Sequence, residues 1–161
     1  MTLLSPNTTK KWDERFIQAA RTVASWSPDP SSKIGAIAVS QQFLPLSWGF
    51  NAFPRHLPLE EADVDREKKY KWIVHAEMNA IYNANREAVS LRDSTFYIWG
   101  IPPCIECAKG LVQVGATRIV SVVYPEVSQH WLDSFKNDSM TLFDEANIKV
   151  EVIETTEIYE N

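Results

Sequence analysis

The apolar positions of the chain change period several times, and each change marks an element. From Lys11 to Ala24 they fall at Trp12, Phe16, Ala19, Ala20 and Val23, the spacing of an amphipathic helix, with Asp13 and Glu14 near the start where they suit the helix dipole. Two prolines and several small polar residues in SWSPDPSSK end that pattern. Ile34 to Ser40 is then a short apolar run rich in β-branched residues, and Leu44 to Phe50 resumes after Gln41, Gln42 and Phe43. The pair reads as an antiparallel hairpin, with Pro45 placing its second strand at a sheet edge.

Asn51 to Asp65 carries Pro54, Pro58 and acidic residues without a period, which predicts a surface loop long enough to cover a site. Asp65 to Lys71 predicts a short helical turn, and Ile73 to Ala88 a longer helix with Ala76, Ala80, Ile81 and Ala84 on its buried side. Strand and helix alternate afterwards: Thr95 to Trp99, Cys104 to Val114 ended by Gly115, Arg118 to Val123, Trp131 to Asn147, and Ile148 to Ile153. Strands separated by helices pair most easily as parallel neighbours through right-handed crossovers. The expectation is a single α/β domain over residues 1–161, a mixed five-stranded sheet covered by helices on both faces.

Composition adds exclusions. With 161 residues, 45% hydrophobic and 23% charged, the chain is long enough for one sizeable core. No apolar run approaches the ~20 residues that span a bilayer, and MTLLSPNTTKKW lacks the features of a signal peptide, so a cytoplasmic protein is expected. A net charge of -5 lacks the basic footprint of a nucleic-acid binder, which disfavours a polymeric substrate.

The candidate chemistry lies in two short stretches. Cys104 and Cys107 are the only cysteines, and with just two residues between them they cannot staple distant parts of a fold. A lone C-x-x-C has structural-zinc and thiol-redox readings, and a lone His-x-Glu is ordinarily a surface pair. Together, His75-Ala76-Glu77 and Pro103-Cys104-Ile105-Glu106-Cys107 supply an imidazole, two thiolates and a separate carboxylate. Three such ligands with a fourth position for water make a catalytic zinc site. A helix start at Cys104 would favour its thiolate. Glu77 would lie beside the water, without ligating, to accept its proton and deliver it to a substrate nitrogen.

The H-x-E…P-C-x-x-C pattern is the signature of zinc deaminases. With WDERFIQAA, DPSSKIGAIAV, KYKWIVHAEMNAI and PPCIECAKGLVQVGATRIV, the chain resembles the deoxycytidylate (dCMP) deaminase branch of the cytidine deaminase superfamily from about Trp12 to Ile153. The resemblance implies a cytidine deaminase-like three-layer α/β/α sandwich and a zinc ion on His75, Cys104 and Cys107. It further implies Glu77 as the proton shuttle while C4 of a cytosine nucleotide is attacked, dCMP giving dUMP and ammonia, and a homo-oligomeric enzyme. Asn51, in WGFNAFP, would bond the sugar. Ala52-Phe53-Pro54-Arg55-His56 departs from the glycine-rich continuation that the family ties to triphosphate regulation.

A nucleotide also needs a phosphate contact. Arg55, His56, Arg66, Lys68 and Lys69 surround the loop, and Arg55, four residues from Asn51, is the preferred cation. Tyr124, just past the fourth strand, is the aromatic candidate for stacking on the pyrimidine. The competing readings are a deaminase of another nucleoside, a base or tRNA adenosine, and a non-catalytic zinc module that binds nucleotides.

Overall fold

Backbone pairing in the computed structural model, which describes residues 6–57 and 65–154 (side chains from residue 9), joins five strands into one sheet in the order β2-β1-β3-β4-β5. These are β1 (Gly35–Val39), β2 (Pro45–Phe50), β3 (Thr95–Gly100), β4 (Arg118–Val123) and β5 (Lys149–Glu154). β1 is antiparallel to both β2 and β3, whereas β3, β4 and β5 run parallel. The mixed sheet predicted from the hydrophobic pattern is the one observed, with Pro45 on the edge strand. The central strands are nearly continuous apolar runs because helices cover both their faces, while β2 mixes buried and exposed positions and β5 half-buried and exposed ones.

Alternation along β3 shows how the layers divide. Tyr97 and Trp99 point with Ile37, Val39, Val120 and Val122 toward helix α1 (Pro6–Ser25), which buries Phe16, Ile17, Ala20, Val23 and Ala24 against them. Phe96 and Ile98 point the other way, toward α3 (Ala76–Arg86), α4 (Ile105–Gln113) and the last helical run. That run comprises α5 (Gln129–Ser134), a π-helical turn over Phe135–Ser139 and α6 (Met140–Glu145). It begins two residues before the predicted Trp131, because the Ser128 side chain accepts the backbone N–H of Trp131 as an N-cap. The short α2 (Arg66–Trp72) is capped in the same way by Asp65.

One boundary differs from the periodicity in a way that matters to function. The predicted helix from Ile73 begins only at Ala76, because Val74 pairs with Ala52 in an antiparallel bridge and leaves His75 extended as the N-cap. The rest of α3 is pressed on β2. Ser47 Oγ donates to the Ala80 carbonyl at 2.6 Å, and the amides of Asn79 and Asn83 donate to the Phe50 and Trp48 carbonyls, each at 2.7 Å. Gly49 permits this approach: a Cβ there would stand 2.4 Å from Ala80 N and 2.6 Å from Ala76 O. Residues 58–64 of the predicted covering loop lie outside the described residues. Among the described residues no helix is long and apolar enough to cross a membrane.

On the α1 face, the Arg118 guanidinium grips both oxygens of Asp13 at 2.7 Å and reaches Glu151 at 2.6 Å, tying α1 to β4 and β5. Burial would raise Asp13, but hydrogen bonds from Arg118 and Tyr97 outweigh it and hold the carboxyl below its ordinary 3.8. A depressed folded pKa contributes stability above the unfolded value and loses it as pH falls through the folded one. Arg118→Leu should therefore cost about 2 kcal/mol near neutrality. The deficit should shrink as pH falls below the ordinary carboxyl value and through the lower folded one, where Asp13 becomes protonated in both proteins; denaturant titrations at neutral pH and in strong acid check this. Gly49→Ala, which drives a methyl into the α3 backbone, should lower the melting temperature and loosen the helix that carries Glu77.

Candidate metal centre and active site

Two helix N-termini meet at the carboxyl end of β3. His75 caps α3 and Cys104 caps α4, both with extended backbone and neither with a side-chain bond to its own helix. Their side chains turn toward each other instead. His75 Nδ1 lies 3.5 Å from Cys104 Sγ and 3.4 Å from Cys107 Sγ, Cys107 having come round one helical turn. Among the described residues these three form the one histidine, cysteine and acidic cluster able to hold a metal, all ligand atoms lying within 4.8 Å of one another. A tetrahedral zinc with Zn–S of about 2.3 Å and Zn–N of about 2.0–2.1 Å requires N···S edges of about 3.5 Å. The residues present fit zinc.

The electrostatics suit the same purpose. The hydrogen bond from the Cys107 thiol, with that of His75, pushes Cys104 down to about 4 against the opposing effect of burial. Cys107 is correspondingly pushed up, first by its bond to the Cys104 sulfur and then by burial. The opposed directions favour one thiolate and one thiol in the pair, and a bound metal would displace the remaining proton. The positive ends of α3 and α4 face the cluster and favour negative charge there. Glu77, in the first turn of α3, is 4% exposed, and burial raises its pKa. A carboxyl so poised can both accept and return a proton.

The turn carrying Cys104 is held from the far end of the chain. Pro102 and Pro103 offer carbonyls but no N–H groups. Trp131 Nε1 donates to Pro102 O and Ser139 Oγ to Pro103 O, both at 2.9 Å. Ser139 is fully buried and lies in the π-helical turn, a widening of the helix often found beside functional sites.

A cavity of about 240 Å³ opens beside the cluster, lined by His75, Glu77 and Cys104 together with Asp29, Asn51, Lys69, Tyr70 and Trp131. Asn51 lines the cavity with its amide occupied. Nδ2 donates to Ser32 O at 2.8 Å and to Asp29 at 3.4 Å, while Oδ1 accepts the Ile34 N–H at 2.8 Å. Asn51 therefore clamps the loop before β1, and one Oδ1 lone pair is left for a ligand.

Two predicted contacts are not brought to this cavity. Arg55 lies in a separate groove with Trp48 and Arg86, its guanidinium bonded to Asn83 Oδ1. The Ala52–Val74 bridge sends the following residues outward, so nearness to Asn51 in sequence does not persist in space. Tyr124 lines a neighbouring cleft with Arg66 and Trp131, and its hydroxyl accepts from Trp99 Nε1 and donates to Lys33 O. The aromatics lining the cavity beside the cluster are Trp131 and Tyr70. No local pattern marks Trp131, 24 residues beyond Cys107. Asp29 was detectable as the first residue of Asp-Pro-Ser-Ser, an Asx-turn composition.

Comparison with known proteins agrees with this geometry. Residues 10–123 match the family described as cytidine and deoxycytidylate deaminase zinc-binding region. The chain belongs to this family. An uncharacterized deaminase of Aliivibrio fischeri is 35% identical over 144 residues, covering 87% of this chain and 92% of its own. Mouse deoxycytidylate deaminase is 33% identical over 116 residues, covering 68% of this chain and 64% of its own. The chain thus spans slightly under two thirds of the mouse protein. Among solved structures, the dCMP deaminase of cyanophage S-TIM5, in its complex with dCMP and dUMP, superposes with a TM-score of 0.70 at 20% identity, over 94% of this chain and all of that one. The fold is cytidine deaminase-like.

If these family residues form a metal centre, the purified protein should carry a single tightly held zinc per chain, released with proton uptake by a chelator. Cys107→Ser should lose the metal while β-sheet content is retained, as read by elemental analysis and circular dichroism.

Proposed function

We propose that this chain catalyses zinc-dependent hydrolytic deamination of a cytosine nucleotide, dCMP giving dUMP and ammonia. The observation that carries the reading is Glu77, a buried carboxyl in a cavity wall shared with His75 and Cys104. A structural metal site has no need of such a group. Zinc held by His75, Cys104 and Cys107 would supply a water acidified toward neutral pH and oriented at the substrate carbon.

The chain's own residues do the rest. Glu77 accepts a proton from the attacking water and delivers it to the ring nitrogen, then passes the second proton to the amino group that leaves C4 as ammonia. Its raised pKa suits a group that must be carboxylate before the attack and carboxylic acid during it. Trp131, half-buried and fixed by its bond to the Pro102 carbonyl, offers a flat wall for the pyrimidine. Asn51 offers its free lone pair to a sugar hydroxyl. The cavity volume and acidic net charge favour a monomeric substrate over a nucleic-acid strand.

The relatives named deoxycytidylate deaminase support the substrate class. Two free cysteines fit a reducing, cytoplasmic setting. Exposed Trp26 and Trp48, packed edge to face 5.2 Å apart beside edge strand β2, support self-association through that side.

Glu77→Gln should retain zinc and fold while lowering kcat on dCMP by two to four orders of magnitude, roughly the contribution of a general acid–base group. Release of ammonia from dCMP, CMP, deoxycytidine, cytosine, guanine and a tRNA substrate, compared at equal enzyme, should be greatest for dCMP. Turnover of another member with none on dCMP rejects the substrate, and zinc without turnover on any of them rejects the enzyme.

A further inference from the structure

We infer that Lys69, held in place by Asp29, is the residue that reads the phosphate of the substrate and so selects nucleotide over nucleoside. The inference rests on the nucleotide reading above and goes beyond it by naming the cation. Of the cations near the loop, Arg55 is bonded to Asn83 in another groove. Arg66 lies over the Tyr70 ring with its Nε on the Tyr70 hydroxyl, and faces the neighbouring cleft. Lys68 lies over Trp72, and Lys33 donates to the Ser27 carbonyl. Among the described residues, Lys69 is the one lysine or arginine that lines the cavity with His75 and Glu77.

Lys69 is built into that wall. Its side chain is 15% exposed, and Nζ donates to Asp29 Oδ1 at 2.7 Å. Asp29, 3% exposed, does not depend on Lys69 to satisfy its oxygens: Oδ1 also accepts the N–H groups of Ser31 and Ser32, and Oδ2 the Asn51 amide. Its charge is therefore shared among four donors. An ammonium has three N–H donors, and Asp29 takes one. The remainder can meet phosphate oxygens in a partly dehydrated cavity, where a charge-assisted bond is stronger than in water. The ion pair also fixes a flexible four-carbon stem in advance, lowering the entropy lost on binding.

The same pair joins α2 to the loop that Asn51 clamps, so a purely structural role makes a different prediction. The test compares kcat/KM for dCMP and deoxycytidine in the wild type, Lys69→Gln and Lys69→Arg, with zinc content and melting temperature measured on each. The ratio dCMP to deoxycytidine should fall roughly ten- to a hundredfold in Lys69→Gln, mainly through KM for dCMP, and Lys69→Arg should recover part of it. On the unaltered protein, dUMP should protect Lys69 from acetylation mapped by mass spectrometry, and deoxyuridine should not. An unchanged ratio in Lys69→Gln, or equal protection by deoxyuridine, overturns the assignment. A wild type that prefers deoxycytidine to dCMP overturns the nucleotide reading itself, and this is seen before any variant is compared.

Discussion

The structure depends on the convergence of two helix starts on one point. An N-terminal helix turn leaves N–H groups without intrahelical acceptors and carries partial positive charge. Placing two such ends together around an imidazole and two sulfurs is favourable only if those atoms accept negative charge. The hydrogen bond between the two sulfurs lowers Cys104 and raises Cys107, so the cluster favours a single thiolate when no cation is present. A dication held there would let both sulfurs be thiolates without repelling one another.

The fold supplies that convergence through close backbone contacts. α3 is fixed along β2 by Gly49 and by three side-chain bonds from Ser47, Asn79 and Asn83. α4 is fixed at its start by the two proline carbonyls, which Trp131 and Ser139 hold from the last helical run. The opposite wall is the Asp29–Asn51–Lys69 network, in which a buried carboxylate organises the loop before β1 and the α2 helix together. These supports come from widely separated segments of the chain.

Much of this was legible one segment at a time. The apolar run of β1, the period of α1 and the strand–helix alternation after Thr95 each name their element, because burial on two faces, on one stripe, or on alternating layers leaves a distinct spacing. His75, Glu77, Cys104 and Cys107 were legible because metal chemistry restricts residue type and spacing within a few residues. The start of α3 was misplaced because Val74 satisfies its backbone by pairing with Ala52, a partner 22 positions away that no local period reveals. Arg55 and Tyr124 fell short for a related reason: proximity along the chain or to a strand end does not say which groove a side chain enters.

By itself, then, the sequence determined the layered fold and which four side chains make up the candidate centre, since hydrophobic period and ligand spacing are local consequences of burial and chemistry. Only the tertiary structure decided what surrounds that centre. Lys69 and Trp131 share a cavity with Glu77, whereas Arg55 does not. The turns and crossovers that bring such residues together are set by backbone pairing across long separations, and a side chain's identity does not encode which cavity it will face.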